Sequence, residues 1–588
     1  MSSLGMVLNI ATTALAAQQY GMDVTAHNIA NVNTEGYSRQ IPTLQGKQAV
    51  LYQGVILGLG VKTEQVTRSV DQFIENKLMQ EKSNLSSSQE TEKYMQVLEG
   101  IFSENSEASI SSMLSHYWNL WNDVSNNPSG SSERIALYEH SLLMSEQFKS
   151  LGPDLNQIQT DITRAVTVGV ERINQITSEI AQVNVEIVGM ETNNNVANDL
   201  RDKRNALVSE LNEYLDIKAF EQSNHSLTII SVRGCTLVQG DGNYELEMGG
   251  SNGDRVRWQD SGGNYVDITN HISNGKLGAW LDLRDNIISK YELDLDAMAK
   301  EFIWSVNQQH SQGVGLEGFS TVTGTYAVSN SGEALGTQNS GLDYYEKISD
   351  GNFNLWVYDS NGAVVGGSAN VITIDADTGG TTLASLRNDI NAVDNISASI
   401  TTDGKLMIDA DSGYTFAFSD DTSNVLAALG VNTFFSGSTA GDISVNSGIV
   451  ADKNHIVAAR IDAATGEFAA GDNDNALAMT DLQYTSMDIS QWTCDRINGN
   501  TKGSVTTTIE DYYHSMVGSI GIVSSSISRD TEFNEMMVNE LNTLRNSISA
   551  VSLDEEMTNL IKYQHAYQAA AKLITVSDEM LNTLISAR

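Results

Sequence analysis

From Leu4 onward, apolar residues recur at alternating steps of four and three: Leu4, Leu8, Ala11, Leu15, Met22 and Ile29, with Gln18 and Thr25 as polar interruptions. That spacing lines one face of an α-helix and predicts an amphipathic N-terminal helix with a heptad seam. The helix should stop between Asn31 and Gly36, because Asn33 and Gly36 in Asn-Val-Asn-Thr-Glu-Gly tolerate the left-handed backbone required just past a helix end. Tyr37 to Val66, rich in Gly, Val, Ile and Gln, reads as extended chain or a hairpin.

The helical period returns over Ser69 to Phe102 and Ser109 to Val124, and again after the break Asn126-Asn127-Pro128-Ser129-Gly130. Its strongest stretch carries Ile162, Val166, Gly169, Ile173, Ile176, Ile180, Val183, Ile187 and Met190, with Gly169 the weak position. A helix from Asp154 to Glu191 would span roughly 57 Å, and another is predicted over Asn198 to Tyr214. At Ser226-Leu-Thr-Ile-Ile-Ser-Val the period changes to two, the spacing of a strand, as it does again between Arg255 and Ile268.

A helix over Leu277 to His310 interrupts this β-rich stretch. Short strands follow between Ser311 and Asn475, such as Asn354 to Tyr358, Ala369 to Ile374, Lys405 to Ile408 and Tyr414 to Phe418. Helical spacing resumes over Ala476 to Gln483 and Ile509 to Ile548. The last helix carries Leu553, Met557, Leu560, Gln564, Tyr567, Ala571, Ile574, Asp578, Leu581 and Ile585, eight apolar positions of ten at heptad spacing.

The pattern predicts a multidomain α + β chain: paired, coiled-coil-like terminal helices, a bundle of long helices, and one or two β-rich outer domains inserted in the middle. The expected divisions are 1–66 with 549–588 as a helical inner core, 67–215 with 476–548 as the bundle, 216–310 as a β-rich domain with a long helix, and 311–475 as an acidic β-rich domain. At 588 residues the chain exceeds one hydrophobic core, in keeping with several domains. Its three prolines all lie at or before Pro153, so long helices are permitted beyond it.

Charge adds a direction to this plan. The net charge is −40, which opposes the phosphate attraction that nucleic acid or an anionic membrane would require. Residues 311–475 hold 21 acidic and 5 basic residues, whereas residues 1–60 carry only Asp23, Glu35, Arg39 and Lys47. Ends that pack inside a polymer and a middle that faces water would show this asymmetry, since buried charge is costly to desolvate. Terminal seams of this kind gain most of their stability from a partner, so the ends should be mobile in an isolated subunit.

Candidate chemistry is sparse. Two cysteines, Cys235 and Cys494, make neither a disulfide framework nor a zinc site. No basic cluster precedes an apolar core at Met1 to Met6, and no run of about 18 apolar residues occurs, so neither a cleaved signal nor a membrane span is expected. Gly249-Gly250-Ser251-Asn252-Gly253 has the letters of a nucleophile elbow but lies among turn residues with a strand after it. None of the nine histidines forms a His-Glu-x-x-His pair. Asp375-Ala-Asp377, Asp409-Ala-Asp411 and Asp472-Asn-Asp474 lack the glutamate that would close a calcium loop and read as solvated turns. Tyr117, Trp118 and Trp121 read as bundle core. No catalytic residue, cofactor or metal is expected.

The stretch Ala26-His-Asn-Ile-Ala-Asn-Val-Asn-Thr-Glu-Gly-Tyr-Ser-Arg-Gln40 resembles the N-terminal signature of bacterial flagellar rod, hook and hook-associated proteins. Val551 to Ile574, Gly471 to Gln483 and Tyr512 to Gly521 are similar to the C-terminal part of the hook-associated members, and Thr381 to Phe418 resembles a module inserted in many flagellins. The resemblance covers about residues 1–215 and 470–588 and is weak between them. It implies a non-enzymatic structural subunit at the junction of hook and filament, outside the cell. It also implies export through the flagellar type III apparatus and a dedicated chaperone on the C-terminal helix. The implied partners are copies of the same chain in a ring, hook protein, a second junction hook-associated protein and the filament.

The expected assembly residues are Leu4, Leu8, Leu15, Met22, Asn28, Ile29, Asn31, Asn33, Gly36 and Tyr37 at one end. At the other they are Leu553, Met557, Leu560, Tyr567, Ile574, Leu581 and Ile585. Two alternatives remain open on sequence: another axial protein of the organelle, such as hook protein or flagellin, or a secreted adhesin or glycan-binding protein using the acidic β-region.

Overall fold

The computed structural model describes all residues except 1, 2, 53, 54, 105–108, 192–194, 232, 233, 252 and 588. Two compact units emerge, each built from separated stretches of chain. The first comprises Met1–Lys93, Ile162–Leu283 and Ser525–Arg588, and the second Tyr94–Asp161 and Arg284–Ser524.

In the first unit, the N-terminal helix Ser3–Ala30 leads into strand Gln40–Gly46, which pairs antiparallel with Val61–Arg68, Gln40 lying opposite Arg68. A smaller hairpin, Val50–Tyr52 with Val55–Leu57, extends the loop between them. Gly60 closes it at φ +92°, where a Cβ would lie 2.4 Å from Thr13 Oγ1 and 3.3 Å from Ile10 Cα; only glycine lets the hairpin approach the N-terminal helix so closely.

The helix expected to begin at Asp154 instead runs from Ser131 to Met190, through Pro153. Proline removes one backbone hydrogen bond and crowds the preceding turn. The apolar face nevertheless continues across it, with Phe148, Leu151, Leu155 and Ile158 all buried, so packing on both sides outweighs the local cost. Further along, this helix holds two sheets by side-chain amides. Asn184 accepts from Leu227 N at 2.9 Å and donates to Leu227 O at 2.9 Å and Gly240 O at 3.0 Å. Asn174 does the same to Leu246 N and O at 2.8 and 2.7 Å. One asparagine anchors the four strands Ile217–Glu221, Leu227–Ser231, Thr236–Gln239 and Gly242–Asn243; the other anchors Leu246–Gly249, Arg255–Gln259 and Tyr265–Asp267. Gly169, the weak seam position, has a packing reason: a Cβ there would lie 2.6 Å from the Trp280 ring, whose Nε1 donates to Glu90 at 3.0 Å.

In the second unit, Tyr117, Trp118 and Trp121 on helix Ile110–Asn126 are buried among Phe302, Phe434 and Phe435, edge-on contacts predominating. The helix predicted over Leu277 to His310 forms as Gly275–Asp282, which belongs to the first unit, a π-type turn Leu283–Ile288, and Ser289–His310 in the second. The β-rich stretch makes two three-stranded antiparallel sheets. Gly351–Tyr358 lies between Asn370–Ile374 and Thr415–Ser419, and Leu406–Ala410 lies between Thr321–Thr323 and Ile396–Ile400. Between them, helix Leu383–Asn391 opens on a reciprocal capping box of Thr382 and Ser385.

One hairpin was not foreseen. Met487–Thr493 pairs with Thr501–Thr507 between the two helical stretches, within the range assigned to the bundle. The β-branched run Val505-Thr-Thr-Thr was the available signal.

His310 is fully buried in the second unit, hydrogen-bonded through Nδ1 to Asn432 O at 2.8 Å, and its Nε2 accepts from Val457 N at 3.1 Å. These two roles need a neutral ring, and burial lowers its pKa from 6.5 to about 4. The unfolded chain therefore binds more protons between pH 6.5 and 4, so the stability from this site is full above that window and is lost as pH falls through it. A loss of up to about 3 kcal/mol is expected. Urea midpoints measured against pH should fall more steeply in the wild type than in His310→Gln; parallel curves would contradict this assignment.

Candidate assembly interface

The N-terminal helix packs along the C-terminal helix Leu553–Ser586. Asn28 meets Glu556 and Gly21 meets Tyr563, so one heptad back along the first helix matches one heptad forward along the second: the pair is antiparallel. Apart from Met6, the buried stripe of the first is made of small residues, Ala11, Ala17, Gly21, Val24 and Thr25, ending at Asn28. On the second, Glu556, Ala570 and Ser577 are buried and share a strict seven-residue spacing with half-buried Tyr563. Small residues let the backbones approach, but they bury little apolar area, so the pair is held by close fit and polar contacts more than by hydrophobic burial.

Asn28 is the centre of the polar contacts. Its Nδ2 donates to Gln40 O at 2.9 Å and to Glu556 Oε2 at 3.0 Å, and its Oδ1 accepts from Gln40 N at 3.0 Å and from the Tyr37 hydroxyl at 2.8 Å. One side chain thus ties together the N-terminal helix, the first strand, the turn between them and the C-terminal helix. Burial, with Asp199, Asp202 and Glu556 nearby, raises the Tyr37 pKa well above its usual value, which keeps the phenol protonated as a donor.

The rest of the motif through Gln40 is fastened in the same way. Asp202 accepts from Ser38 N and Oγ at 3.0 and 2.9 Å and from Arg68 at 2.8 Å, while Gln40 Nε2 donates to Asp199 at 2.7 Å. Arg39 pairs with Glu555 at 2.5 Å and donates its backbone N–H to Ser549 O at 2.8 Å. The helix ends at Ala30, after which Asn31 Nδ2 donates back to His27 O at 3.0 Å and Gly36 takes φ +78°.

The structure separates the expected assembly residues into three groups. Asn28 is buried within the subunit. Leu4, Leu15, Met22, Ile29, Asn31, Gly36, Tyr37, Leu560, Tyr567 and Ile574 are half-buried at the edges of the helix pair. Leu8, Asn33, Leu553, Met557, Leu581 and Ile585 face outward, with Ile585 66% exposed. Sequence reading did not foresee Glu556, Asp199, Asp202, Ser38 or Arg68. Glu556 was concealed in an acidic first turn, Asp554-Glu555-Glu556, of the kind that commonly favours a helix N-terminus.

Beyond the shared seam, Val7, Leu8, Ile10 and Tyr20 of the first helix are exposed, and so are Leu573, Val576, Met580 and Leu584 of the second. Leu573, Val576, Met580 and Leu584 share one face of their helix, and exposed apolar surface of this kind marks a site of association. The Gly249 to Gly253 stretch, whose Asn252 lies outside the described residues, joins two strands and so lacks the strand-to-helix setting of a nucleophile elbow.

Gly21→Val should destabilise the helix pair by about 1–3 kcal/mol, because a Cβ would stand 2.8 Å from the Tyr563 ring. A double-mutant cycle with Tyr563→Ala checks this: the valine should cost much less when the ring is absent, and equal costs in both backgrounds would refute the contact.

Three family models match parts of the chain: "Flagella basal body rod protein" over residues 8–37, "Flagellar hook-associated protein FlgK helical domain" over 95–325, and "Flagellar basal body rod FlgEFG protein C-terminal" over 545–587. The chain is 26% identical to flagellar hook-associated protein 1 of Bacillus subtilis, covering 100% of this chain and 99% of that relative. It is 26% identical to the Salmonella typhimurium protein and 25% identical to the Escherichia coli protein of the same name, each over 100% of both chains. These similarities cross the β-rich middle, beyond the ranges where the motifs lie. Among solved structures, the flagellar hook junction protein FlgK from Burkholderia pseudomallei shares the fold, with a TM-score of 0.52 at 16% identity, covering 81% of this chain and 100% of that one.

Proposed function

Because this chain belongs to the flagellar rod, hook and hook-associated axial protein family and is a structural subunit of the hook-filament junction, we propose that its paired terminal helices build it into that junction. The observation that carries this reading is the polarity of the pair. Small residues and the Asn28 knot hold the two helices together inside the subunit, and the larger apolar residues are left outward for neighbours.

The occupants of those outward faces are further copies of this chain in a ring, with hook subunits on one side and the second junction protein and filament on the other. Buried small-residue seams inside and apolar stripes outside suit a subunit that must fold before it is bound from several directions. The terminal helices face the interior of the assembly, and the acidic middle, residues 311–475, faces water. The subunit is part of the extracellular flagellum and reaches it through the flagellar type III apparatus. A chaperone covers the exposed residues of the C-terminal helix until assembly. No helix among the described residues is long and apolar enough to cross a membrane. The role is structural, with no catalytic step.

Immunogold electron microscopy of flagella carrying an epitope in the exposed turn at Asn361-Gly362 tests this reading. Label confined to a short zone where hook meets filament is expected. Label along the whole filament or the whole hook would assign the chain to another axial role.

A further inference from the structure

Away from the terminal helices, Glu317, Asp452 and His455 bring three ligand-bearing atoms within 4.8 Å of one another. They come from two chain segments held together by backbone. Leu316 N donates to Asn454 O at 2.8 Å, and Gly315 lies so close that a Cβ would stand 2.1 Å from that oxygen. Asn454 also orients both carboxylates: its backbone N–H donates to Asp452 Oδ1 at 2.9 Å and its Nδ2 to Glu317 Oε1 at 3.0 Å. The His455 ring stacks on Phe319 with centroids 4.5 Å apart, and Phe319 is itself paired with Phe416 through backbone hydrogen bonds.

Two features of this arrangement are unfavourable as they stand. The Glu317 and Asp452 carboxyl groups are in side-chain hydrogen-bond contact, which two carboxylates can make only with a proton held between them. Nδ1 of His455 is buried with no hydrogen-bond partner among the described residues. A divalent cation relieves both at once.

We propose that Glu317, Asp452 and His455 bind a divalent transition-metal ion of the zinc class, through two carboxylate oxygens and one imidazole nitrogen. Imidazole with carboxylate oxygens is a donor set that suits zinc rather than calcium or magnesium, and three protein ligands leave a position for water. Asn454 supplies the outer contacts that hold the two carboxylates in place. The bound ion ties the chain just after helix Ser289–His310 to the turn at Lys453–His455, and so stabilises the second unit. Asp350, Asp375 and Asp377 also converge, but all three are exposed and none brings a nitrogen ligand; they serve as an internal control.

The test is calorimetric titration of the full-length, EDTA-treated protein with Zn2+, alongside thermal melts and Co2+ absorption spectra. The wild type should bind one saturable equivalent and gain thermal stability on binding. Glu317→Gln, an isosteric change of an exposed side chain, and His455→Gln should each weaken that equivalent by about tenfold or more, and Asp377→Asn should leave it unchanged. Far-UV circular dichroism confirms that each variant is folded. Absence of saturable binding in the wild type overturns the proposal. So does an affinity within about threefold of wild type in folded Glu317→Gln or folded His455→Gln, or an equal loss in Asp377→Asn.

Discussion

A chain lacking residues 2–40 is expected to be absent from assembled hook-filament junctions. The deletion removes the N-terminal helix and, with it, Asn28, Tyr37, Ser38 and the Gln40 strand end. Glu556 then loses its buried partner, and Asp202 loses two of its three hydrogen bonds described above. The face of the C-terminal helix that carries Glu556, Ala570 and Ser577 loses the N-terminal helix that packs along it. No part of the second unit is removed, so its circular dichroism and aromatic-core signals should persist, separating a failure of assembly from a failure to fold. Electron microscopy of the deletion strain should show hooks without attached filaments. Normal junctions built from the truncated chain would rule out the terminal helices as the means of assembly.

The second large effect is expected at one side chain. Asn28→Leu keeps the approximate volume of the side chain but removes four hydrogen bonds, and it leaves Glu556 and both backbone groups of Gln40 without their partner. Leaving a buried carboxyl and two buried backbone groups unpaired costs about 3 kcal/mol or more. Because the seam buries mainly small side chains, little apolar area remains to offset the loss, and the two terminal helices should separate. Limited proteolysis of the monomer reads this directly: cleavage after Lys562 and Lys572 should accelerate in the variant, while sites in the β-rich middle are cut at the wild-type rate. Unchanged cleavage of the C-terminal helix would mean that Asn28 does not hold it.

The internal pairing of the ends also refines the expectation of mobile termini. The heptad seams were legible because period alone reveals which face of a helix is apolar. What period does not reveal is the partner. Residues 28 and 556 lie 528 positions apart, and no local pattern connects them. The seam actually used within the subunit is also shifted from the most apolar stripe. Leu553, Met557, Leu581 and Ile585 look like core positions by spacing but are exposed, and the intrachain contact falls instead on Glu556, Tyr563, Ala570 and Ser577. A carboxylate and a serine score poorly as seam residues in any hydrophobic reading. Glu556 is chosen here because the opposing helix offers the Asn28 amide, and the Tyr563 ring fits because that helix offers Gly21.

The same logic separates the other elements. Helix Asn198–Tyr214 and the strands around Gly351–Tyr358 were readable, since each has an uninterrupted period and clear turn residues at its ends. The long helix through Pro153 was not, because the local penalty of proline is visible in sequence whereas the packing of Phe148 and Leu155 that overcomes it is not. The hairpin at Met487–Thr507 was obscured by its polar, weakly alternating strands.

By itself, then, the sequence determined the long helices at both ends, the acidic β-rich middle and the family motif, because periodicity, charge and local turn chemistry act between near neighbours. Only the tertiary structure decided which stripe of each terminal helix is spent inside the subunit and which faces outward. That choice depends on groups far apart in the chain, Asn28 with Glu556 and Gly21 with Tyr563, whose shape and hydrogen-bonding capacity match only once the fold brings them together.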